Sequence, residues 1–140
     1  MRNNKVRFVV ALVLIAMLVA AVPLSAGATH SWGNYHWART ANPFTIKVVD
    51  SMTASWDDNL GVAISDWNSS SVMNVVKEAG SDGSNARKRC AAISGKVHAC
   101  NANYGNNGWL GLAQIWASGS HITQGTAKMN DTYLASSSYD

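Results

Sequence analysis

Gly108-Trp109-Leu110-Gly111-Leu112-Ala113-Gln114-Ile115-Trp116, the turn Ala117-Ser118-Gly119-Ser120, and His121-Ile122-Thr123-Gln124-Gly125-Thr126-Ala127-Lys128-Met129-Asn130 decide the fold. Two β-type runs, 112–116 and 122–129, flank a Ser-Gly-Ser turn, which predicts a hairpin. Gly108 and Gly111 stand where a backbone needs unusual torsions or close approach by another chain. A glycine-bearing edge strand leaves main-chain N–H and C=O groups open to an added extended peptide. An ordinary edge hairpin is the plain alternative, since glycine is common in turns.

Working outward, the amino-terminal end reads as an export signal. Arg2, Lys5 and Arg7 precede an unbroken apolar run over 8–22, and Ala26-Gly27-Ala28 forms a small-x-small cleavage site. The run is shorter than the roughly 20 residues that span a bilayer comfortably. A signal peptide over 1–28 therefore predicts a secreted, extracellular chain with no stable membrane anchor. Those three cations account for the whole formal charge of +3. Without them acids and bases balance, and nucleic acid is excluded as a natural partner. The basic cluster Arg87-Lys88-Arg89 is short enough to be a solvated loop.

The only two cysteines, Cys90 and Cys100, lie in an exported chain, so a disulfide pinning one hairpin is expected. Metal ligation by the pair is disfavoured, because there is no Cys-x-x-Cys spacing and no neighbouring His cluster.

Residues 29–42 form an arm rich in aromatics (Trp32, Tyr35, His36, Trp37), ended by Pro43. The arm either packs on the domain or binds a partner. Residues 44–50 alternate apolar and polar as a half-buried strand. Ser55 is a candidate N-cap, with Asp57 and Asp58 in the first turn of the helix that follows. Along that helix Trp56, Leu60, Ala63, Ile64 and Trp67 make one apolar stripe. Further strands are expected over 71–79 and 93–101, a polar loop over 80–85, and a linker over 135–140. Together these predict one α+β domain, a twisted mixed β-sheet with one long helix packed on it.

No recognisable catalytic constellation is present. His30, His36, His98 and His121 share no metal-site spacing, and there is no Gly-x-Ser-x-Gly elbow or phosphate loop. Glu78, the only glutamate, sits at a strand end without a carboxylate partner. Asn68-Ser69-Ser70 and Asn130-Asp131-Thr132 match the N-glycosylation pattern, which matters only in a glycosylating host.

The order of pieces over 43–134 resembles the front half of the metzincin zinc endopeptidases, in particular their secreted, bacterial matrixin-like group. The residues carrying the resemblance are Trp56, Ala63 and Trp67 on the helix, 108–114 on the edge strand, and 122–130 with Tyr133 after it. The resemblance implies an edge strand that holds an extended peptide or protein substrate through main-chain bonds. Gly111, Leu112 and Ala113 would then be the substrate-binding rim. It also implies a second helix bearing His-Glu-x-x-His-x-x-Gly-x-x-His, with zinc as cofactor. No ligand or base of that motif occurs here, so neither peptidase activity nor a tight zinc site is expected of these residues alone. They would represent either a piece of a longer gene product or a degenerate relative. The alternative from another class is a small exported Trp-rich binding or antimicrobial module without catalysis.

Overall fold

The computed structural model describes residues 33–139; the signal peptide expected over 1–28, His30 and Trp32 lie outside them. The elements in order are β1 (His36–Trp37), β2 (Phe44–Ser51), a 3-10 turn (Ala54–Trp56), α1 (Asp57–Asn68), β3 (Met73–Ala79), α2 (Ser84–Arg89), β4 (Lys96–Ala102), β5 (Gly111–Ser118), β6 (His121–Asn130) and α3 (Asp131–Leu134). This is an α+β fold with one six-stranded sheet. Among the described residues no helix is long and apolar enough to cross a membrane.

The sheet runs β3-β2-β4-β6-β5. The first four of these strands are mutually parallel, and β5 alone is antiparallel. The two residues of β1 pair in parallel with His121 and Ile122, across β6 from β5. His36 and Trp37 of the aromatic arm are thus built into the sheet.

Because side chains alternate along each strand, the register sorts the sheet into two faces. On one face lie Ile46, Val48, Val75, Val97, Ala99, Ala127 and Met129, and all but Ile46 line one cleft with Trp56 of the 3-10 turn and Leu60 and Ile64 of α1. The expected stripe therefore does lie against the strands, but it covers them only in part. Nothing on α1 is fully buried, and Trp67 is 62% exposed. Clefts of about 410 Å³ and 350 Å³ open over this face, sharing Val48, Trp67, Val75 and Val97.

The opposite face is richer in polar side chains, with Val49 and Ala102 buried among them. It carries Ser51, Glu78, Lys96, His98, Cys100, Thr126 and Asn130. Cys90, just past α2, is joined to Cys100 with sulfurs 2.08 Å apart. The disulfide thus ties a helix end to β4 and does not pin a hairpin.

Several local expectations are corrected. In place of one long helix there is a 12-residue helix entered through a 3-10 turn, plus two short ones. Ser55 lies within that turn and caps nothing; its hydroxyl bonds Thr53 Oγ1 at 2.9 Å. Residues 84–89 are helical where a loop and a solvated cation cluster were expected. Arg87 explains the difference, donating to the carbonyls of Asp82 (2.8 Å) and Asn101 (2.9 Å). β4 starts at Lys96, since Gly95 at φ +72° turns the chain into it. Residues 131–134 and the turns after them cap the sheet end where only a linker was expected beyond 134. Gly80 follows β3 where any side chain would collide with the Asp50 carbonyl and the Ser51 hydroxyl.

Candidate functional site

The two edges of the sheet are treated differently. At β3 the Asn68 side chain, at the end of α1, donates to the Val75 carbonyl at 3.0 Å and accepts from the Val75 N–H at 2.6 Å. One amide thus occupies the position of an added strand and blocks that edge.

The β5 edge carries no such plug among the described residues. The Asn130 N–H donates to the Leu110 carbonyl at 2.8 Å, so the main chain of Leu110 faces β6. Alternation then turns Leu112 and Gln114 inward, and aims the N–H and C=O of Gly111, Ala113 and Ile115 outward. Gly111, Leu112 and Ala113 are all exposed. Of the three expected rim residues, Gly111 and Ala113 offer main-chain groups, whereas Leu112 offers a side chain, 37% exposed. Ala113 registers with Ala127 and Gly111 with Met129, so this edge borders the half-covered apolar face. Gly111 does not need to be glycine, since a Cβ there meets only ordinary contacts; Gly108, at φ +83°, does.

The loop leading into β5 is fastened from β6 and α3. Asn130 is fully buried, and its Nδ2 donates to the carbonyls of Gly105 and Trp109 and to Asn107 Oδ1, at 3.0–3.2 Å. Its Oδ1 accepts from the N–H groups of Tyr104 and Thr132, each at 3.1 Å. The Gly108 N–H donates to Tyr133 Oη at 3.0 Å, and Gly105 N–H to Thr132 Oγ1 at 2.9 Å. Tyr104 tilts against Trp109 with ring centres 5.0 Å apart. Burial, with the nearby Asp131 carboxylate, pushes the Tyr104 phenol up, partly opposed by Arg87. These anchors fix where the rim stands. Sequence reasoning treated Asn130 as a glycosylation match; its burial and its bonds mark it as the rim's support.

Among the described histidines, His36 and His121 meet while His98 stands apart. His36 bonds the Asn34 carbonyl at 2.7 Å and sets its ring edge-on to His121 at 4.8 Å. His98 is buried on the polar face, with Nδ1 2.7 Å from the Ala91 carbonyl and Nε2 2.8 Å from Ser51 Oγ. A carbonyl only accepts, so in the neutral ring Nδ1 carries the proton and Nε2 accepts from Ser51. Glu78, at a strand end without a carboxylate partner, is clasped instead by Lys47 (2.6 Å) and Lys96 (2.5 Å). Their bonds hold its carboxyl below the usual range.

The zinc site implied by the resemblance needs three histidines and a glutamate on one helix, and these residues do not fit it. Among the described residues, Cys90, His98 and Cys100 are the one group of three ligand types close enough to share an ion, and their sulfurs are bonded to each other. No hydrolytic step is therefore built on this chain's own side chains. What the rim can do chemically is hold an extended peptide. No protein-family profile, curated protein or solved structure matches the chain.

Proposed function

We propose that residues 43–134 are the amino-terminal part of a secreted metzincin-like zinc endopeptidase, and that β5 is the edge along which its peptide substrate is held. One observation carries the reading. A largely parallel sheet ends in an antiparallel strand whose outward main chain, at Gly111, Ala113 and Ile115, lies beside an apolar face that α1 half covers. The plugged β3 edge supports it, since main-chain bonding by a guest strand is left to one side only. Zinc, when bound, would supply a Lewis acid and an activated water, from ligands on a segment bearing His-Glu-x-x-His outside these residues.

The test is peptide capture. Proline at position 113 removes an outward N–H without touching the β6 ladder, a change that edge strands tolerate. Ala113→Pro is expected to abolish binding of an extended fluorescent peptide while thermal melting stays near that of the parent. Undiminished capture by the variant, or no capture by the parent, defeats the reading. Expression of the whole gene product with zinc analysis tests the peptidase half separately.

The alternative of a Trp-rich binding module draws on Trp67 and Trp116, which are 62% and 42% exposed. It predicts a blue shift of tryptophan emission on anionic vesicles, with no effect of Ala113→Pro.

A further inference from the structure

We propose that Cys90, His98 and Cys100 form a redox-gated site for a thiophilic divalent ion of the zinc class, closed by the disulfide and opened when it is reduced. The two sulfurs and an imidazole nitrogen all lie within 4.8 Å of one another. All three residues are buried, at 2%, 7% and 0% exposure. A tetrahedral zinc with bonds of about 2.0–2.3 Å sets its ligand atoms roughly 3.5 Å apart. Opening the sulfur–sulfur bond moves the group toward that spacing.

His98 is already oriented as a ligand. Its Nδ1–H is held by the Ala91 carbonyl at 2.7 Å, the outer contact that fixes the tautomer of metal-bound histidines, and this leaves Nε2 as the ligating nitrogen once a metal displaces the Ser51 hydroxyl from its lone pair. Ser51, now bonded to Nε2 at 2.8 Å, stands across from Cys100 in the sheet register. Thr126 stands across from His98 on the same face. Its hydroxyl, 2% exposed as a residue, is the one buried side-chain polar atom without a partner among the described residues. A water in the fourth metal position would give Thr126 that partner.

Cys90 supplies the mobility. It caps α2 in the left-handed region at φ +45°, a conformation that non-glycine residues adopt at a cost and that surrounding constraints must hold. Breaking the bond frees this turn to re-aim its sulfur.

The chemistry balances. A dithiol reductant gives two electrons and two protons to the Cys90–Cys100 bond, yielding two thiols and its own cyclic disulfide. The divalent ion then displaces both thiol protons to solvent, while neutral His98 donates a lone pair and loses none. A disulfide oxidant reverses the sequence and expels the ion.

The experiment compares the purified protein, oxidised and after anaerobic reduction with a non-chelating phosphine, each mixed with zinc or cobalt(II) and desalted. Reduced protein is expected to retain about one equivalent of metal and oxidised protein essentially none. Cobalt should add a thiolate charge-transfer band, and the Cys90→Ser variant, reduced alike, should lose that band and most of the metal. Equal uptake in both redox states, no uptake by the reduced protein (folded or not), or undiminished uptake by Cys90→Ser overturns the proposal.

Discussion

The Asn68 side chain and the Val75 main chain form a closed pair, with bonds of 3.0 and 2.6 Å that join the end of α1 to the rim of the sheet. Asn68→Ala leaves both Val75 groups to water or to another chain's strand. A loss of about 1–3 kcal/mol is expected from urea unfolding, together with concentration-dependent scattering from edge-to-edge association. Asn68→Asp keeps the acceptor and should fall between. Scattering unchanged in Asn68→Ala would mean the plug does not guard that edge.

Asn130 is fully buried and holds both the loop before β5 and the start of α3. Asn130→Ala removes the bonds to Tyr104, Gly105, Asn107, Trp109 and Thr132 at once, and a loss on the order of 3 kcal/mol is expected. Hydrogen exchange should speed up at Tyr104, Gly105 and Gly108 well before it does in β2. The same burial predicts no glycan at Asn130 in a glycosylating host, read by mass spectrometry.

Glu78 between Lys47 and Lys96 gives a signed pH effect. Its folded carboxyl is held below the ordinary value by those two lysines. The added stability is present above the unfolded pKa of about 4.3 and is lost as pH falls below it toward the folded value. The melting temperature of the parent should therefore drop more steeply below about pH 4.3 than that of Glu78→Gln. Parallel curves would show that the clasp adds nothing.

The Cys90–Cys100 bond closes a short loop, with a sequence separation of 10. Chain entropy puts its contribution near 2.5 kcal/mol, somewhat below that of a 15-residue loop. The Cys90→Ala/Cys100→Ala double variant should lower the urea midpoint accordingly, with the largest local loosening at residues 84–91.

What the sequence disclosed tracks the range of the forces involved. β2, α1 and the β5–β6 hairpin were legible, because alternation and the Trp56–Trp67 stripe record burial locally. α2 was not, since Ser84–Arg89 has no apolar period and is held by the reach of Arg87 to the Asn101 carbonyl. The lysine clasp of Glu78 was not legible, because Lys47 comes from the adjacent β2 and Lys96 from β4 beyond it, both distant along the chain. Gly111, Leu112 and Ala113 lie exposed on the edge strand β5. The division of this trio into outward Gly111 and Ala113 and inward Leu112 needed the bonding phase fixed by Leu110 and Asn130. The plug at Asn68 was legible only as the place where the helix ends, because its bonds to Val75 depend on how β3 packs beside α1.

The place of β6 bears on biogenesis. Among the described residues it follows the other five strands in sequence, yet it touches β1, β4 and β5, so His36 waits for His121 and Val97 for Gly125. Contacts of such long reach form slowly. A nascent chain halted before residue 121 holds its early strands without the one that unites them, and it should stay open to protease until β6 emerges.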